Sequence, residues 1–368
     1  MRTRERGFTL VDLVVAIGVA GVLSAIWVPA VRMAASDNAL QRCRYNLRTI
    51  AQGGAMYRED FAGQMPALSW KAGMQVPGQP GMLFGSDVEA QAWQATLIMR
   101  QRAGLTPAQS PVPANWYSQF LYSHLALVDY LGLPLPTATF VCPMDARRVA
   151  YVNGDYSQLP PSGGDGSATN WRVPYSATYL PSVYQWSPSR QTTVQTPSGA
   201  RNTPMAGASS SNVDFPTFDP GSTAIDGYLR PRQFSDVAFP SRKVALFDSY
   251  ARHNGAPRYY AYLTATQDLQ FYDGSVRTYR TDATNPGWNP NSQATRKNML
   301  TRFSFTKFAD FWGGLDNNAQ SATFAAGWYR WTRGGLLGWD VPRLSSMVGK
   351  PPSNTVVENE LPTTVGQW

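Results

Sequence analysis

The chain has 368 residues, 43% of them hydrophobic and 12% aromatic, enough apolar side chain for one large domain or two ordinary ones, and this excludes a disordered tail. Charged residues make up 15%, and the net charge of +8 comes from scattered arginines with only five lysines, so the balance describes a mildly basic solvated surface and no nucleic-acid partner is expected. A mean hydropathy of -0.31 confines any membrane segment to one local run, and the crowding of Gly, Pro, Ser, Thr and Asn in the middle and C-terminal parts describes an exported, turn-rich β protein more than a cytosolic enzyme.

At the start of the chain Arg2, Arg4 and Arg6 stand against Glu5, the bias that retains an end on the cytoplasmic side of a bilayer. From Phe8 to Val31 the residues are apolar except Thr9, Asp12, Ser24 and Pro29. As a helix that run would rise about 36 Å, which predicts one membrane crossing with the remainder pointing outward. An ordinary secretory signal should end at a small-residue cleavage site, and Val31-Arg32-Met33-Ala34-Ala35 is a poor match. An ionised Asp12 inside the run would cost about 2.5 to 3.5 kcal/mol at mid-membrane, so it needs a partner. Thr9 with Asp12 also fits a helix-start capping pair, a reading that leaves Gly7, the apolar run and Pro29 unexplained.

Gly7-Phe8-Thr9-Leu10-Val11-Asp12-Leu13-Val14-Val15 resembles the processing motif of type IV pilins and type II secretion pseudopilins. The resemblance implies a prepilin peptidase that cuts after Gly7 and methylates the new amino terminus at Phe8. It also implies an acidic fifth residue, here Asp12 where the family usually has Glu, that neutralises the amino terminus of a neighbouring subunit. Pro29 falls where the family commonly has a helix-kinking proline. The implied organisation is a leader over 1–7, a transmembrane and assembly helix over 8–31, and an exported head over 32–368. The implied fold is α+β and pilin-like: a long N-terminal helix, its first half membrane-spanning, packed on an antiparallel β-sheet with long loop insertions.

Further along, Leu40, Cys43, Leu47 and Ile50 recur at spacings of three and four and predict an apolar stripe that packs against the head, with Gly53-Gly54 weakening the helix. The stretch from Cys43 to Pro66, with Asn46-Leu47 and Tyr57-Arg58-Glu59-Asp60, resembles large pseudopilin-like proteins of planctomycete type. Asp87 to Ala103 and Trp116 to Leu131 read as helices, and Thr137 to Val141 as a short strand before Cys142-Pro143-Met144-Asp145. From there to about Pro240 the composition predicts long surface loops around a few strands, with brief aromatic pieces such as Tyr175 to Tyr184. Lys243 to Asp248 reads as a buried strand, followed by Tyr259 to Thr264, and Leu269 to Tyr279 reads as a hairpin turning at Asp273-Gly274 through a tight primed turn. This last region resembles the C-terminal signature of the same proteins, in which a His precedes Phe-x-Asp-Gly. His253 and Phe271-Tyr272-Asp273-Gly274 match it in kind at a longer interval, so the sheet is implied and no fixed contact from His253 to Asp273 is.

Chemistry-bearing residues are few. His124 lies in an apolar helical stretch and reads as core, and His253 reads as a loop hydrogen-bonding residue. No metalloprotease, Walker or nucleophile-elbow pattern occurs, so no catalytic or metal site is expected. Cys43 and Cys142 are either a disulfide closing a long loop on the exported side or two buried thiols. Asp248, Asp268 and Asp273 could donate oxygens to Ca²⁺, as some secretion pseudopilins do in a C-terminal loop, against ordinary turn and hairpin roles. Arg333-Gly334-Gly335 occurs as one copy and reads as a strand end.

The function these features imply is a structural, non-enzymatic subunit of a type IV filament or type II secretion pseudopilus. Its partners would be the prepilin peptidase, like pilin or pseudopilin subunits, an inner-membrane assembly platform and the membrane. Its place would be the inner membrane, crossed once, with the head in the periplasm or at the cell surface. The rivals are a filament-tip or membrane-anchored surface module that stacks glycans on loop aromatics, and an anchored exported enzyme with loop-borne carboxylates.

Overall fold

The structure, a computed structural model, describes residues 9–113, 116–157, 159, 170–186, 193–196, 199–202, 207–208, 216–217, 229–253, 258–260, 264–285, 300–303, 322–325, 328–330, 332 and 335–343; of Asp12, Val28, Pro29, Arg32, Phe120 and residues 193–196, 199–202, 207–208, 216–217, 258–259, 300–303 and 322–325 it describes the backbone alone. Gly7, Phe8 and the dipeptide Arg333-Gly334 lie outside these residues.

Helix α1 runs from Leu10 to Asp60 without a break. Its two parts meet different surroundings. From Leu10 to Met33 every described large apolar side chain is exposed on all sides, Leu10 at 78% and Trp27 at 72%, whereas Cys43, Leu47, Ile50 and Tyr57 are buried. Burying side chains of that size is worth about 1.5 to 3 kcal/mol each, so the second part carries the docking of α1 on the head. Gly53-Gly54 does not end the helix. A Cβ at Gly53 would stand 2.9 Å from Leu131 Cδ2, so glycine there admits close packing against a neighbouring element.

Among the described residues no helix is long and apolar enough to cross a membrane. This corrects the membrane-spanning first half of α1, and with it the pilin-like fold class as expected and the single-pass inner-membrane localisation. The physical reason is length between polar interruptions. The stretch free of charge and proline lies between Asp12 and Pro29, and it rises about 24 Å against a hydrocarbon core of about 30 Å. The 36 Å expectation had counted Asp12 and Pro29 within the span.

The head is built on a four-stranded antiparallel sheet in chain order, β1 (Tyr179–Pro181), β2 (Val244–Asp248), β3 (Thr266–Phe271) and β4 (Val276–Arg280). Tyr179 pairs with Asp248, Phe247 with Leu269 and Val276 with Gln270, and a register shift interrupts β2 between Val244 and Leu246. β3 is buried along nearly its whole length, on both faces, and α1 packs against one of them. The β3–β4 turn has one positive-φ residue, Gly274, rather than the two of the expected primed turn. Phe271 N donates to Ser275 O and Asp273 Oδ1 accepts from Ser275 N, leaving a three-residue loop closed by glycine. Tyr259 to Thr264 contributes only its first residue, in a two-residue strand with Arg258, and 261–263 lie outside the described residues.

Helix α2 (Asp87–Ala103) has the expected bounds, set by Ser86 accepting from Glu89 N at one end and Gly104 at φ 68° at the other. The expected helix over Trp116 to Leu131 is instead α3 (Gln119–Tyr122), a 3₁₀ turn over Ser123–Leu127, and α4 (Val128–Leu131). The tighter winding aligns residues three apart, and Tyr122, Leu125 and Val128 all enter the core. Thr137 to Val141 is not a strand but a 3₁₀ turn at Ala138–Phe140. Its carbonyls are satisfied from elsewhere: Asn46 Nδ2 of α1 donates to Ala138 O at 3.0 Å and to Val141 O at 3.1 Å. The last α-helix among the described residues, α5 (Ala146–Val152), is capped by Asp145, whose side chain accepts from Arg148 N.

His124 is buried with its ring 4.5 Å from that of Phe140, and burial holds its imidazole down at about 3 from an ordinary 6.5. The unfolded chain therefore takes up a proton that the folded one refuses, so stability present above pH 6.5 is lost as pH falls toward 3. Unfolding temperature followed from pH 7 to 4 should drop for the native chain and drop less for His124→Phe; parallel profiles would refute this role for His124.

Candidate functional site

Among the described residues, two places combine exposure or chemistry beyond ordinary packing. The first is the bare segment of α1. Its backbone is helical through Asp12 and Pro29, and Gly18 and Gly21 have open space where a Cβ would stand. Glycines with nothing beside them let another helix approach closely.

The second lies where α1, the turn after Phe140 and the segment after β2 converge. Cys43 on α1, Cys142 and His253 place two sulfurs and one ring nitrogen within 4.8 Å of one another. His253 Nε2 is 3.3 Å from Cys142 Sγ, and Tyr179 Oη on β1 donates to Cys43 Sγ at 3.3 Å. Both cysteines are buried free thiols, so of the two sequence readings the structure holds the thiol form of a pair close enough to interact. The exported-side argument for a bridge rested on the membrane crossing corrected above. A hydrogen bond with Cys43, together with burial, pushes the Cys142 thiol well up. Burial pulls His253 down, but its hydrogen bond with Cys142 and the charges of Cys142, Asp248 and Asp268 outweigh that and raise it.

Under this cluster lies a buried ionic network. Asp145 Oδ2 accepts from Arg148 Nη1 at 2.7 Å, Thr178 Oγ1 at 2.9 Å and Arg252 Nη2 at 3.4 Å, and Arg252 Nη1 also pairs with Asp248 Oδ1. Burial works against ionisation of Asp145, yet the two guanidinium groups hold its carboxyl down at about 2 from 3.8. Arg148 Nε continues to Ser176 Oγ at 2.9 Å. Beside it Arg44, next to Cys43, grips Asp268 with Nε at 2.9 Å and Nη2 at 3.2 Å and reaches Thr278 Oγ1 at 2.7 Å, which ties α1 to β3 and β4.

The three candidate Ca²⁺ ligands do not converge. Asp248 faces Arg252, Asp268 faces Arg44 and Thr278, and Asp273 caps its own turn through Ser275. His253 touches Cys142, not Asp273. The described loop aromatics mostly fill cores: Trp116, Trp186 and Trp328 are buried, and Trp70 and Trp93 pack on Phe84. A cleft of about 370 Å³ between α1 and the hairpin is lined by Arg48, Ala51, Arg58, Gln270 and Gly274 and does not include the cysteines.

The buried arginines and Asp145 were missed in the sequence. The excess of arginine over lysine was a usable signal, because the guanidinium fork suits buried carboxylate pairing. Comparison with known proteins finds no matching family model, no matching curated protein and no matching solved structure.

Asp145→Asn would leave Arg148 and Arg252 with one fewer counter-charge while keeping the side-chain volume. Losing one partner of a buried pair costs about 3 to 5 kcal/mol, so urea unfolding should show destabilisation of that order, with a loss under about 1 kcal/mol, typical of exposed pairs, contradicting the network's role.

Proposed function

We propose that the chain is a structural, non-enzymatic subunit of a helical filament of the type IV pilin or type II pseudopilin class, joined to copies of itself through the first half of α1. The observation that carries this reading is the contrast along α1: over Leu10 to Met33 every described large apolar side chain is bare, whereas from Cys43 onward the helix sinks one face into the head. A helix apolar all round needs a partner over its whole circumference, and a bundle of identical helices supplies one. Gly7-Phe8 is the processing point in this reading, and prepilin peptidase is the partner that acts there. Cutting frees an amine at Phe8, and Asp12 of an adjacent copy offsets it.

Two readouts test the proposal. Mass analysis of the native protein should find Phe8 at the amino terminus, and electron microscopy should find filaments. Val15→Glu with Val22→Glu adds charges at two exposed positions; the head should keep its stability within about 0.5 kcal/mol while filaments disappear. An intact leader, or filaments indifferent to the two charges, would overturn the reading.

A further inference from the structure

We infer that Cys43, Cys142 and His253 form a binding site for a soft divalent cation of the Zn²⁺ class, which would rivet α1 to the head at the point where the helix passes from its bare segment into the core.

The donor set is the first support. Two thiols and one imidazole are ligands for thiophilic d¹⁰ ions and poor ligands for Ca²⁺ or Mg²⁺. Among the described residues it is the only cluster of its kind. Geometry is the second. Tetrahedral Zn²⁺ with bonds of about 2.3 Å to sulfur and 2.0 to 2.1 Å to nitrogen sets ligand-to-ligand edges of about 3.6 to 3.8 Å. The three atoms already lie within 4.8 Å of each other, with Cys142 Sγ and His253 Nε2 at 3.3 Å. Each edge has to change by at most about 1.2 Å to meet that geometry, while a disulfide would require the sulfurs to close to about 2.05 Å and would leave His253 aside.

Charge is the third support. Around the cluster Asp145, Asp248 and Asp268 stand against Arg148, Arg252 and Arg44, so the surroundings are balanced. A dication bound by two thiolates and a neutral imidazole adds no net charge to this buried place. Asp248 Oδ2 is also buried with no hydrogen-bond partner among the described residues, and its charge is felt by both Cys142 and His253. Arg252 pairs with the other oxygen of the same carboxylate, so Asp248 Oδ2 is a buried acceptor left without a hydrogen bond, which is costly. His253 is equally uncommitted: among the described residues its Nδ1 has no partner and its Nε2 faces the Cys142 sulfur.

Binding would proceed with both thiols giving up their protons to solvent as two metal–sulfur bonds form, with no change of oxidation state. Three ligands leave a fourth position for water or another small donor. Residues about a hundred positions or more apart in the chain would then be held by one ion, which binds the folded state and not the unfolded one.

The test uses the full chain, purified under reducing conditions and stripped with a chelator, with Zn²⁺ alone as the probe. Expected are one equivalent of Zn²⁺ retained per chain, release of two protons, a higher unfolding temperature and protection of both thiols from alkylation. Co²⁺ in its place should show a sulfur-to-metal charge-transfer band. Cys142→Ser should abolish retention. In case it fails to fold, His253→Gln, at the half-buried edge of the cluster, should keep the fold and still lose the ion and the thiol protection. Retention undiminished in both variants, no retention in the native chain, or loss of two hydrogens by mass with both thiols joined in the chain as isolated from cells, would each overturn the site.

Discussion

A single helical turn of α1, Cys43 to Leu47, decides how this molecule is held together. Within it Leu47 is fully buried in the core, Asn46 takes two backbone carbonyls of the turn before Cys142, Arg44 grips Asp268 on the sheet and Cys43 meets Tyr179. Hydrophobic burial supplies most of the free energy of docking, because it scales with area removed from water. The polar contacts do something burial cannot: they are directional, and they set the rotation and height of the helix against β3 and β4.

Ions buried in pairs add little net stability compared with apolar packing of similar volume, since desolvation offsets most of the Coulomb attraction. Three carboxylates and three arginines beneath the cysteines are therefore better understood as constraints on geometry. Asp145 is central because it serves three roles at once: it caps α5 through Arg148 N, it pairs with Arg148, and it accepts from Arg252 beside His253. Any shift of the segment after β2 would leave a guanidinium unpaired in the interior. That holds His253 against Cys142 far more firmly than the weak sulfur contact alone could.

Rigidity at one end of α1 gives the bare end its meaning. A helix of 51 residues is about 77 Å long, and its second part is clamped by the head, so the exposed part projects in a defined direction. Gly53 contributes to that clamp in a way that composition hides, since its missing side chain is what lets Leu131 pack on the helix.

Much of this was legible in the chain before any fold was known. The periodic stripe of α1, the bounds of α2, the strand at 244–248 and the hairpin about Gly274 follow from local rules of spacing, capping and turn conformation. Local rules failed where backbone partners come from afar: 137–141 became a turn because Asn46 takes its carbonyls, and 116–131 broke into short pieces because its side chains enter one core three at a time. The membrane expectation failed for a different reason, namely that it counted Asp12 and Pro29 within the span although the acid and the proline shorten the run between them. Sequence by itself determined which residue types existed to be buried, paired or left bare. Only the tertiary structure decided that Cys43, Cys142 and His253 meet above a closed set of charges, because contacts between residues a hundred positions apart depend on chain topology and not on neighbours in the sequence.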